Sequence, residues 1–113
     1  MAVVVSATGT LLRQILDETF PLWGEGLDRA GYARYNAAQL LTPWGASQLR
    51  RVALVEGSEW LATAKVFDLL LAVPKYGRVK VNRILTQCRI SPSKTIGGLS
   101  ERQRNELVSY LRR

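Results

Sequence analysis

The sequence predicts a mainly α fold, a small helical bundle, and three observations lead to it. Apolar residues recur at helical spacing in several segments, Pro and Gly punctuate the chain between them, and the last segment opens with the Ser and Gln spacing of a capping box. At 113 residues the chain is long enough for one modest hydrophobic core.

In the first segment, TGTLLRQILDETF (residues 8 to 20), Leu11, Leu12, Ile15, Leu16 and Phe20 fall on one helical face, and Pro21 is the stop. Residues 25 to 41 place Leu27, Ala30, Ala38 and Leu41 on one face of a second helix, in which Gly31 is a weak point. Pro43 and Gly45 mark a boundary.

The next stretch, RRVALVEGSEWLATAKVF, supports two readings. In one, a short β-hairpin lies near residues 50 to 65, with Glu56 to Ser58 as its turn and Val52–Val55 and Trp60–Ala64 as its strands. In the other, Ser58 caps a helix that begins at Glu59 and runs toward Leu71. The aromatic residues of this half (Trp23, Trp44, Trp60, Tyr32 and Tyr35) are expected in packing rather than base stacking, because the half is slightly acidic.

From Val66 the chain reads as helix, tight turn, helix, loop, helix. VFDLLLAV ends at Pro74, and the turn that follows contains Gly77, expected to supply the positive φ of a sharp corner. A helix from about Arg78 to Arg89 commits Val81, Ile84, Leu85 and Cys88 to the core, while Lys80, Arg83 and Gln87 share a solvated flank. ISPSKTIGGLS is a second, polar loop. In the last helix Ser100 and Gln103 form the capping box, Leu107, Val108 and Leu111 the buried stripe, and Arg102 and Glu106 an outward i, i+4 pair.

Charge divides unevenly. Residues 65 to 113 carry eleven basic and three acidic side chains, a net of +8, whereas residues 1 to 64 carry five and six, a net of −1. The basic half gathers Lys75, Arg78, Lys80 and Arg83 around the tight turn, where a helix N-terminus exposes unpaired N–H groups. By default a basic run beside a turn is a solvated face. The second loop argues for more, since Ser93, Lys94 and Thr95 are donors and Gly97 and Gly98 permit close approach. Two donor-rich corners of one charge sign point to a nucleic-acid backbone.

Several functions are excluded or disfavoured. Cys88 is the only cysteine and there is no histidine, so neither a disulfide framework nor a zinc site is expected, and no cofactor. No carboxylate pair stands in an acid/base context, so the chain is not expected to be an enzyme. MAVVVSATGT lacks the basic start of a secretory signal and no apolar run approaches a membrane span, which predicts a cytoplasmic protein with no membrane partner.

Leu69 to Leu111 closely resembles the C-terminal part of the actinobacterial, mycobacterial-type integration host factors, small nucleoid-associated proteins with a helix-two-turn-helix module. VPKYGRVKV and GGLSERQRNEL carry the resemblance, matching that family's Pro-Lys-x-Gly-Lys-Val-Lys and Gly-Leu-x-x-Arg-Gln-Arg patterns. It divides the chain into an N-terminal helical segment, residues 1 to 44, whose role the sequence leaves open, and a nucleic-acid-binding module, residues 45 to 113.

The resemblance implies binding and bending of double-stranded DNA through its phosphate backbone, with little sequence preference, in the nucleoid. The positions it assigns to DNA contact are Lys75, Gly77, Arg78 and Lys80 at the first turn and helix start, Pro92, Ser93 and Lys94 at the second loop, and Arg102 and Arg104 at the last helix; Arg83, from the basic run itself, is a further candidate contact. This chain departs from the family at Thr95 and Gly97, which stand where arginines are expected, and in its near-neutral, aromatic first 44 residues.

Three other functions compete. Structured RNA is a second candidate partner, because the same module occurs in a small-subunit ribosomal protein. Residues 1 to 44 are a candidate docking surface for a recombinase or another protein. A DNA-repair glycosylase, which shares the module, is disfavoured because MAVV lacks the N-terminal Pro-Glu those lyases use.

Overall fold

The computed structural model describes residues 8–20, 28–56 and 60–112, and in them the chain forms seven helices and no strand. Leu27, Trp23 and Ser58 lie outside the described residues, as do the side chains of Leu11 and Trp60.

Helix α1 (Thr8–Thr19) buries Leu12, Ile15 and Leu16, with Phe20 just beyond it, so the predicted stripe faces the core. Helix α2 (Arg29–Leu40) starts at Asp28, whose carboxylate accepts from the Gly31 N–H at 2.6 Å. Gly31 is therefore a first-turn residue with its N–H capped, where its low helix propensity matters least. Ala33, Ala37 and Ala38 are buried, and these small side chains let α2 pack closely on its neighbours α1, α3 and α7. Asn36, fully buried, donates to the Leu16 carbonyl at 3.1 Å and ties α2 to the end of α1.

The boundary at Pro43 is the start of a helix. Thr42 accepts from the Gly45 N–H at 3.0 Å and Pro43 occupies the first position of α3 (Pro43–Glu56), where its missing N–H costs nothing. Val52–Val55 lie inside α3, so the hairpin reading fails. Its valines are β-branched but sit in a helix already launched by a cap and a proline, and propensity yields to that context.

The alternative continuous helix from Glu59 to Leu71 is also interrupted. Helix α4 (Trp60–Thr63) stops at Ala64, and α5 (Val66–Leu71) begins after Lys65. The second loop uses the backbone groups between them: Ile96 donates to Ala64, Gly97 to Ala62, and Val66 to Lys94, at 2.9, 3.0 and 2.9 Å. Lys65 and Thr95 form an isolated antiparallel bridge.

Helix α6 (Arg78–Gln87) buries Val81, Ile84 and Leu85, and Cys88 follows them into the core. It ends in a Schellman turn: Ile90 donates to Leu85 at 2.8 Å, Arg89 donates to Thr86 at 3.2 Å, and Arg89 takes the left-handed φ of 56°. Helix α7 (Glu101–Leu111) has both hydrogen bonds of the predicted capping box, and Leu107 and Leu111 are buried with Val108 packed beside them.

One apolar cluster joins all of this. It runs from Leu12 and Leu16 through Ala37 and Leu40 to Leu69, Ile84, Leu107 and Leu111. Each fully buried Leu or Ile contributes roughly 1.5–3 kcal/mol relative to exposure. The first two helices thus stabilise the same core as the last three. No helix of the described residues is long and apolar enough to cross a membrane.

Candidate nucleic-acid interface

The tight turn is built from the end of α5. Ala72 and Val73 continue its hydrogen bonding, Pro74 stops it, and Tyr76 donates to the Val73 carbonyl at 3.1 Å. The positive φ falls on Lys75, at 69°, and not on Gly77 as the sequence suggested. A non-glycine residue in this region costs on the order of 1 kcal/mol. The corner is closed two residues earlier than expected, because Pro74 fixes its own φ and the reversal comes directly after it.

Gly77 has a different task. It is the N-cap of α6 with φ −87° and ψ 172°, ordinary extended backbone, and no side chain caps the helix. A β-carbon placed there would meet nothing within 4 Å. The first-turn N–H groups of α6 have no side-chain cap and carry the partial positive charge of a helix N-terminus. Lys75, Arg78 and Lys80, within three residues of this helix start, are exposed, and Arg83 is exposed one turn further along.

Tyr76 anchors the turn. Its side chain is 8% exposed, and the Lys80 ammonium lies 4.5 Å from its ring centroid. Burial pushes the phenol above its ordinary pKa, while the charge and hydrogen bond of Arg34 pull it back.

The second loop forms a separate corner. Pro92 and Ser93 are exposed, Ser91 and Ser93 share a hydroxyl hydrogen bond of 3.0 Å, and the Lys94 N–H donates to Ser91 at 2.9 Å. Lys94 itself is half-buried, and its stem crosses Gly98. Exposed Arg89 and Arg102 line a groove of about 310 Å³ with Gln103, whose amide donates to the Arg89 carbonyl at 2.9 Å. Arg102 is paired with Glu106 at 3.3 Å. Arg104 differs from the others: it is half-buried and its Nε is shut off from solvent without a partner.

The two corners lie at opposite ends of α6, whose ten residues extend about 15 Å. The sequence assigned residues to both, yet overlooked Arg89, Arg34 and Tyr76. Arg89 had a local signal, as the residue just past the last apolar position of α6. Arg34 had none, since only the packing of α2 brings it to the turn.

A helix, a tight turn, a helix, a second ordered turn and a capped helix make a helix-two-turn-helix unit, and residues 47–111 match the S13-like H2TH domain. Over 85 residues the chain is 36% identical to the integration host factor of Mycobacterium tuberculosis and 38% identical to that of Mycolicibacterium smegmatis. Each alignment covers 73% of this chain and 81% of the relative. The chain belongs to the mycobacterial integration host factor family. An alignment of that length is longer than residues 45–113, so the similarity reaches further back than the two motifs alone indicated. No solved structure matches the chain.

Proposed function

We propose that this protein is a nucleoid-associated, architectural DNA-binding protein that grips the sugar-phosphate backbone of duplex DNA and bends it, without enzymatic activity. The observation that carries this reading is the start of α6, without a side-chain cap, with free space at Gly77 and with Lys75, Arg78 and Lys80 exposed within three residues of it.

In this reading a phosphate oxygen accepts from the first-turn N–H groups of α6, and the surrounding cations supply charge-assisted contacts. A second phosphate is held at the other corner by the Ser91 to Lys94 loop with Arg89 and Arg102. Arg102 must leave Glu106 to take part, an exchange that costs little because exposed ion pairs are worth about 0–1 kcal/mol. Two grips held about 15 Å apart on a stiff helix fix the spacing of two phosphates, and a duplex that bends to meet both gains contacts a straight one lacks. Such contacts set register and orientation but read no base.

The test is a titration of labelled duplex at several salt concentrations, with end-to-end energy transfer reporting the bend. About four to seven phosphate contacts give a slope of log K against log salt near −4 to −6. A slope near zero sinks the reading. A preference for A-form RNA over duplex DNA by more than about tenfold, or ~1.4 kcal/mol, replaces DNA with RNA as the partner.

A further inference from the structure

Residues 95 to 98 of the second loop carry no charge, yet the junction between α4 and α5 brings a lysine to them. The Ile96 N–H donates to the Ala64 carbonyl at 2.9 Å, and the Val66 N–H donates to the Lys94 carbonyl at 2.9 Å. These two bonds flank Lys65 and Thr95, which therefore face each other as the non-hydrogen-bonded pair of an antiparallel bridge. In such a pair the Cα atoms lie about 4.5 Å apart and the two side chains leave the same face.

Lys65 is thus fixed beside Thr95 by main-chain bonds alone. Its side chain is exposed and does not cap α5, and among the described residues its ammonium has no ion-pair partner. Lys94 lies against the same turn, its Cε 3.7 Å from the place a β-carbon on Gly98 would take, and it too has no ion pair among the described residues. A polyanion reaching this corner would meet both charges unneutralised.

The backbone here has little else to offer. The N–H groups of Ile96, Gly97 and Gly98 are taken inside the fold, by Ala64, by Ala62 at 3.0 Å and by the Thr95 hydroxyl at 3.1 Å. A phosphate on this side of the loop therefore needs a side-chain cation rather than an amide. We propose that Lys65 is a phosphate contact of the second corner, carried across the Lys65–Thr95 bridge from the α4–α5 junction to stand beside Lys94. This rests on the proposed function, with duplex DNA as the ligand.

The experiment titrates labelled duplex at several salt concentrations with the full chain and with Lys65→Gln, Lys65→Arg and, as a reference, Lys75→Gly. In Lys65→Gln the slope of log K against log salt is expected to become shallower by about 0.9, and affinity at about 0.1 M salt to fall roughly three- to tenfold. Lys65→Arg keeps the charge and is expected to keep the slope. Because main-chain atoms make the bridge, Lys65→Gln is expected to melt with the parent. At saturating duplex, the amide shifts that DNA induces at residues 94 to 98 are expected to shrink in Lys65→Gln, while those at Gly77 to Lys80 stay.

An unchanged slope in Lys65→Gln, beside a shallower one in Lys75→Gly, overturns the inference and leaves the proposed function standing. A loss of DNA-induced shift spread equally over both corners overturns it too, since a general change of charge does that. So does a melting temperature lowered by more than about 5 °C, the mark of a lost structural contact. A parent protein that does not bind duplex at low salt overturns the proposed function and this inference together.

Discussion

Gly77→Val separates folding from binding at the centre of the proposed interface. A Gly77 that supplied the positive φ of the corner, as expected from the sequence, would not tolerate valine. In the structure Gly77 has extended backbone, with φ −87°, and open space for at least 4 Å around a new β-carbon, so valine fits without strain. Two small effects on stability oppose each other. Replacing glycine removes freedom from the unfolded chain and stabilises by about 0.4–1 kcal/mol, while valine is a poorer N-cap than glycine, at a similar cost of about 0.5–1 kcal/mol.

The melting temperature is therefore expected to stay within a few degrees of the parent. The new isopropyl group, however, occupies the route by which a phosphate reaches the α6 amides. A hydrogen bond to a charged group is worth about 1.5–3 kcal/mol, so its loss weakens duplex binding about ten- to a hundredfold. Circular-dichroism melting and fluorescence anisotropy on a labelled duplex measure the two sides. An unfolded variant refutes the open-space argument, and a folded variant that binds as the parent does refutes the approach of phosphate at Gly77.

Two further outcomes follow from the same geometry. Lys75→Gly relieves a left-handed residue, worth about 1–2 kcal/mol, against the backbone entropy of glycine, about 0.5–1 kcal/mol, so stability is expected to hold or rise slightly. Its duplex affinity is expected to fall equally on all sequences, with a salt slope shallower by about 0.9, and a less stable variant contradicts the strain assigned to Lys75. Gly45→Ala is expected to destabilise by about 1–3 kcal/mol in urea unfolding, despite alanine's better helix propensity, because the methyl group would overlap the Gln39 carbonyl oxygen and lie 2.7 Å from the Leu40 backbone. A gain in stability there means that α2 and α3 can separate without cost.

What the sequence alone determined has its cause within a turn or two of helix. The stripe of Leu12, Ile15 and Leu16, the inner face of Val81, Ile84, Leu85 and Cys88, the capping box at Ser100 and the Arg102 to Glu106 pair all depend on spacing along one helix, and all are present. The concentration of positive charge in the second half was equally legible, since it is a sum over residues. Tertiary structure decided the rest. The break at Ala64 and Lys65 depended on backbone groups taken by a loop some thirty residues away, whereas the hairpin reading of Val52–Val55 failed on a local signal, Thr42 and Pro43, that starts a helix rather than marking a boundary. At the interface, whether Arg34 comes near Tyr76 depends on how α2 packs, and a local pattern carries no record of such a contact.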